Sequence, residues 1–246
     1  AASDVYKRQE NETAGGGLFV SFDKVSEQSA QLKLDAHIRN TSRKSFGGKI
    51  LYELYDRDGK RVLSKEAGLS VSKGLAKQIS CKVTVETPHL WSPDSPYLYK
   101  LHIYIKDKAG NTIDGYYRRI GIRSIEFKGK DGFWLNGKPF GQLVGANRHQ
   151  DFAYVGNALP NSQQWRDAKR LRDAGCTIIR VAHYPQDPAF MDACDELGLF
   201  VIVATPGWQY WNKDPKFGEL VHQNTREMIR RDRNHPSVLM LSLIHI

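Results

Sequence analysis

The 246-residue sequence predicts an all-β segment followed by an α/β segment. Three observations carry this reading. From Leu18 to about Arg123, apolar and polar residues alternate with period two. Near Ile125 the alternation gives way to short apolar runs separated by stretches with helical spacing. Those runs end in charged and aromatic residues just before helix-start signals, as strand-to-helix loops of an α/β fold do.

In the first segment, Ala30, Leu32, Leu34, Ala36 and Ile38 alternate with Gln31, Lys33, Asp35, His37 and Arg39. Ile79, Cys81, Val83 and Val85 repeat the pattern, and so do Tyr97, Tyr99, Leu101, Ile103 and Ile105. Alternation puts one face of a strand on a core and the other in water. Asp58-Gly59 and Gly110-Asn111 supply turns. About seven short strands over residues 18–123 predict an immunoglobulin-like β-sandwich. It has no Cys–Trp–Cys core, so an antibody-type domain is not implied. Asn11-Glu12-Thr13 and Asn40-Thr41-Ser42 fit the glycosylation pattern, which short sequences meet by chance.

In the second segment, 124–246, Phe133 to Pro139 reads as a hairpin turning at Asn136-Gly137. Gln142 to Ala146 is a strand leading into Asn147-Arg148-His149-Gln150-Asp151. A helix capped by Asn161 or Ser162 carries Trp165, Ala168 and Leu171 inward and ends at Gly175. Cys176 to Ile179 enters a second strand that delivers Arg180 and His183 where it ends. Asp187 then caps a helix with Pro188 first and Gly198 just past its end. That helix buries Phe190, Met191, Cys194 and Leu197. Leu199 to Ala204 is the third strand. The third helix spans about Gly218 to Arg231, with Leu220, Val221, Thr225, Met228 and Ile229 inward. The fourth strand starts at Ser237-Val238-Leu239-Met240. Near-continuous apolar strands suit a parallel sheet covered on both faces. About four βα units make an incomplete (β/α)8 TIM barrel.

Composition sets bounds on function. The net charge is +9 and the pI about 9.4. Lys and Arg are scattered, with no paired-Cys finger or aromatic RNA-binding signature, so nucleic acid is not an expected partner. No apolar run reaches the length of a membrane span, so no membrane partner is expected either. Cys81, Cys176 and Cys194 lie in apolar patterns, with spacing that fits neither a zinc site nor a disulfide framework; they read as buried free thiols. No His-Glu-x-x-His, Gly-x-Ser-x-Gly or phosphate loop is present. Residues 1–17 read as a disordered or artefactual tail. Ser3 to Gln9 and Ser242 to Ile246 look like translated sequencing-adaptor read-through, so the gene is expected to be cut at both ends.

Four motifs together carry a family resemblance. Arg180-Val181-Ala182-His183-Tyr184-Pro185, with Phe190-Met191, Asp195 and Gly198 to Ile202 behind it, resembles the first signature of glycoside hydrolase family 2. Asn147 to Asp151, Asp232 to Val238 and Leu90 to Tyr99 resemble three further phrases of that family, in its order. There are departures. Thr177 stands where Asn is usual, Val181 where a small residue is usual, and Leu241 where Trp is usual. The Asn-Glu pair that closes the second signature is not found after Ser242.

The resemblance implies a retaining β-glycosidase of the β-galactosidase, β-glucuronidase or β-mannosidase type, with β-galactosides as the first expectation. Two Glu residues do that chemistry, one as acid/base and one as nucleophile. Both are expected beyond this chain, together with a preceding jelly-roll domain, so the chain alone is expected to be inactive. Arg180 would hydrogen-bond the nucleophile and His183 would bond sugar hydroxyls; the alternative is that both only tie down a loop. His149 and Asp151 would line the same pocket; the alternative is that this motif, through Asn147-Arg148, only braces the barrel rim. Trp208 and Trp211 would stack on sugars or form a packed loop core. Asn234 and His235 are structural on this reading. No cofactor or metal is expected in this chain; some β-galactosidases of the family use Mg²⁺ through residues expected further on. The expected partner is a β-linked oligosaccharide or glycoside, and the resemblance leaves room for a homo-oligomer of the full-length protein. Location is open between periplasm or secretion and the cytoplasm. The reading from a different class is a non-catalytic carbohydrate-binding or structural module.

Overall fold

The structure is a computed structural model and describes residues 17–206 and 212–242. The expected tail and the Asn11-Glu12-Thr13 pattern fall almost wholly outside the described residues. The chain forms two compact units, residues 1–90 with 97–124, and residues 91–96 with 125–246.

The first unit has seven strands: β1 (Leu18–Asp23), β2 (Ser29–Arg39), β3 (Phe46–Tyr55), β4 (Arg61–Val71), β5 (Ala76–Glu86), β6 (Tyr99–Asp107) and β7 (Thr112–Ile120). They form two antiparallel sheets in the orders β1-β2-β5 and β4-β3-β6-β7. In antibody constant domains the fourth strand lies beside the fifth; here β4 pairs with β3 instead. The period-two pattern is what the packing uses. Ala30, Leu32 and Leu34 of β2 face Ile50, Tyr52 and Leu54 of β3 and Leu101 and Ile103 of β6 within one buried core. Each fully buried Leu contributes about 1.5–3 kcal/mol.

Both expected turns close on an aspartate. Asp56 accepts from Asp58 N and Lys60 N beside Gly59. The carboxylate of Asp107 accepts from the backbone and side-chain nitrogens of Asn111 at 2.9 and 3.0 Å, which holds its pKa below the ordinary carboxylate value. Asn40 is 8% exposed, and its amide nitrogen donates to Lys44 O and Val71 O. That nitrogen is a loop brace and not a glycan acceptor.

The second unit begins with a three-stranded antiparallel sheet of β8 (Ile125–Phe127), β9 (Phe133–Leu135) and β10 (Lys138–Pro139). Asn136 (φ 52°) and Gly137 (φ 76°) join β9 to β10, the positive-φ pair a two-residue hairpin needs. Then come β11 (Gly145–Arg148), α1 (Asn161–Asp173), β12 (Ile178–Val181), α2 (Pro188–Leu197), β13 (Phe200–Ala204), α3 (Pro215–Asp232) and β14 (Val238–Ser242). The four strands are parallel, in sequence order. This is an immunoglobulin-like sandwich followed by an incomplete barrel.

Strand residues alternate between two environments. Ile179, Val181, Val201 and Val203 pack against Ala168, Phe190, Met191, Cys194 and Met228 of the helices. Arg180 pairs in register with Asn147 and Ile202, so these three share the opposite, inner face. At the N-terminal end of that face, Phe200 lies 5.5 Å, ring to ring, from each of Trp91, Phe133 and Phe140. Trp91–Pro96, read from sequence as part of the sandwich, packs with the barrel strands instead. Its indole nitrogen donates to Asp195 O at 2.9 Å.

Several helix details differ from the sequence reading. Pro160, not Asn161 or Ser162, precedes α1, and its side chain makes no cap. Trp165 is 39% exposed and donates to Glu196, whereas Gln164 is fully buried. The helix is turned so that a polar side chain reaches inward to a buried arginine. In α3 the inward stripe is Val221, Thr225, Met228 and Asp232, and Leu220 and Ile229 are exposed. Asp214 caps this helix, three residues earlier than expected. Of the thiols, Cys194 is buried and Cys81 and Cys176 are half-buried; all three are free.

Candidate active site

β12 ends where the sequence reading puts function. Asp187 Oδ1 accepts from Ala189 N at 2.8 Å, Pro188 opens α2, and Gly198 closes it in the left-handed region. These local signals stop the strand after Val181 and leave residues 182–187 as the loop at its C-terminal end.

Arg180 Nη1 donates to His183 Nδ1 at 3.0 Å. A guanidinium only donates, so Nδ1 accepts and the ring proton sits on Nε2. Partial burial, the Arg180 cation and neighbouring His149 all hold the His183 pKa below the ordinary histidine value. The His149 ring, from the loop after β11, lies 5.4 Å from the His183 ring, edge to face, and 6.5 Å from Tyr184. Arg180, His183 and His149 are therefore brought together at the C-terminal ends of adjacent strands, the end at which barrel enzymes place their chemistry.

Asp151 follows on the same loop but is exposed. With its amide turned to face acceptors, Asn157 donates to Asp151 Oδ1 at 2.5 Å and to Gln150 O at 3.1 Å. Trp208 and Trp211 lie outside the described residues. Arg148 turns to the helix side of the sheet and is 5% exposed. It bonds Gln164, Gln186 and Asp167 and lies 4.0 Å over the Phe190 ring. Gln150 and Tyr184 entered the sequence reading only as members of their motifs, with no role of their own, and Gln164 and Gln186 did not enter it; an inward-facing Gln on an otherwise amphipathic helix was the available signal for Gln164.

His235 sits before β14, at the other end of the sheet. Its Nδ1 is 2.6 Å from Asp195 Oδ2, and Ser237 N donates to Asp195 Oδ1. Burial pulls the His235 pKa down, but the carboxylates of Asp195, Asp232 and Asp192 outweigh it, and the net shift is upward. Asp192, Asp195 and His235 hold ligand-type atoms within 4.8 Å of one another. Both Asp195 oxygens are already engaged, one by the His235 ring and one by Ser237 N, so the arrangement here is a hydrogen-bonded brace.

Known proteins agree with this architecture. Residues 17–123 match the profile described as glycosyl hydrolases family 2, and residues 125–244 match that of the family's TIM barrel domain. The β-galactosidase of Thermoanaerobacter pseudethanolicus is 37% identical over 232 residues, covering 94% of this chain and 30% of that protein. The β-galactosidase of Thermoanaerobacterium thermosulfurigenes is 36% identical over 88% of this chain and 30% of its own length. Among solved structures, Bacteroides uniformis β-glucuronidase superposes with a TM-score of 0.86 at 31% identity, over 93% of this chain and 28% of that one. The chain belongs to glycoside hydrolase family 2. It spans about a third or less of the length of these relatives.

Proposed function

We propose that this chain is part of a retaining β-glycosidase that removes terminal β-linked sugars in carbohydrate catabolism, with β-galactosides as the first substrate class. The Arg180–His183 contact, facing His149 at the strand ends, carries the reading. A fixed guanidinium there would keep a neighbouring nucleophilic carboxylate ionised. A neutral His183 with its proton on Nε2 suits donation to a sugar hydroxyl. Retention needs two carboxyl groups roughly 5–5.5 Å apart. The sequence has no Asn-Glu pair after Asp232–Val238, so the 246 residues alone are expected to be inactive. Asp151, Trp208 and Trp211 belong to the proposal as sugar contacts, and the relatives' names support both galactosides and glucuronides.

The test is to recover the reading frame from its source DNA and express the whole protein. It is then assayed on 4-nitrophenyl β-galactoside, β-glucuronide and β-mannoside, with product anomers followed by NMR. We expect hydrolysis with retention, and Arg180→Ala to lower kcat/KM by about 100-fold. Hydrolysis by the 246-residue chain itself, made in a glycosidase-free host, would overturn the expected inactivity. Sugar binding by the whole protein without hydrolysis would favour a non-catalytic module.

A further inference from the structure

The two histidine-bearing segments are laced together at residues on either side of each histidine. The Arg148 carbonyl accepts from Ala182 N at 2.9 Å, immediately before His183. The Arg148 guanidinium donates to Gln186, three residues after His183, and Gln186 Nε2 reaches back to Arg148 O at 3.5 Å. On the other side of His149, Gln150 Oε1 accepts from Asp187 N at 2.9 Å, and Tyr184 Oη lies 3.4 Å from Gln150 N. Arg148 and Gln150 thus grip the 182–187 loop, with His149 between them on one strand end and His183 between their partners on the other.

The grip is itself anchored. Arg148 Nη2 donates to Gln164 Oε1 and Asp167 Oδ2 of α1, each at 2.8 Å. Gln186 is 1% exposed and Gln164 fully buried. A charge this deep costs desolvation, and an apolar residue of similar size often serves stability as well or better. What an apolar residue cannot supply is a forked donor that holds α1 and the loop after β12 at once.

We infer that Arg148, acting through Gln186, is a positioning residue that sets His149 and His183 ring to ring. The inference deepens the glycosidase reading, but its primary test does not depend on that reading.

Three variants test it, Arg148→Met, Arg148→Lys and Gln186→Met, each made in the Leu241→Lys form of the 246-residue chain and kept below the concentration at which self-association begins. The readout is the NMR cross-relaxation between the His149 and His183 ring protons. Amide dispersion reports separately that each variant is folded. Gln186→Met leaves no unpaired charge, so it keeps the test open if an Arg148 variant fails to fold. We expect the ring-to-ring signal to drop more than about fivefold in each folded variant, with Lys not rescuing because its single ammonium lacks the fork. In the whole protein the same variants should lower kcat by about tenfold to 100-fold, with a smaller change in KM. Folded variants that keep the ring-to-ring signal at full strength would overturn the inference. Absence of any glycosidase activity would count against the proposed function and leave the NMR result standing.

Discussion

The proton on His183 is governed by its neighbours. Partial burial, Arg180 and His149 all disfavour the imidazolium. An NMR titration should place the His183 midpoint below about 6.5, the unperturbed value. Arg180→Met removes the cation and should move that midpoint upward; an unchanged midpoint would show that Arg180 does not set it. The placement of Arg180, His183 and His149 at strand ends was legible in the sequence because they sit in short motifs where apolar runs stop. Gln186 was not, and Gln150 appeared only as a member of its motif, because an uncharged side chain beside a loop has neither periodicity nor an obvious chemical role. Arg148 was legible only as a brace. Its burial depends on which face of β11 it takes, and a strand of four residues leaves that face undetermined from pattern alone.

Among the elements, α2 was the most readable, since an N-cap, a first-position proline and a closing glycine mark both ends. Gly198 answers two demands at once. Its φ is 72°, and an added Cβ would lie 2.1 Å from Pro93 O. Gly198→Ala should cost about 2–4 kcal/mol in urea denaturation, more than the conformational cost of alanine alone. The faces of α1 and α3 were less readable. Trp165 and Ile229 look inward by periodicity, yet Gln164 and Asp232 take buried positions. Each has a polar partner that hydropathy does not register, Arg148 for one and Arg231 for the other. The joint between α2 and β14 has its own pH dependence. Folding raises the His235 pKa, so this contact stabilises fully below about pH 6.5 and is lost as pH rises through the folded-state value. His235→Asn should therefore cost about 1–3 kcal/mol at pH 6 and less at pH 8.5. A difference that does not shrink with pH would mean that folding does not raise the His235 pKa.

At the scale of the molecule, the period-two and helical patterns were enough to give both architectures and their order along the chain. They could not show that Trp91–Pro96 belongs with the barrel strands, because that depends on contacts made about a hundred residues away. Among the described residues, β11 and β14 each have one strand neighbour in the parallel sheet. Val144, Met240, Leu241, Leu220 and Ile229 are each 39% or more exposed. Open edges with apolar residues invite self-association. Light scattering of the 246-residue chain should show particles that grow with concentration, and Leu241→Lys should raise the concentration at which growth begins. The six-residue Trp91–Pro96 excursion also has a consequence in time. The Trp91 indole bonds Asp195, 104 positions later. At roughly 5–20 residues per second of synthesis, that partner is made about 5–20 s after Trp91. The last sandwich strands are synthesised within that interval, while the indole nitrogen still lacks its Asp195 carbonyl. Limited proteolysis of ribosome-bound chains stalled before and after Asp195 should therefore cut near Trp91 more readily in the shorter chain.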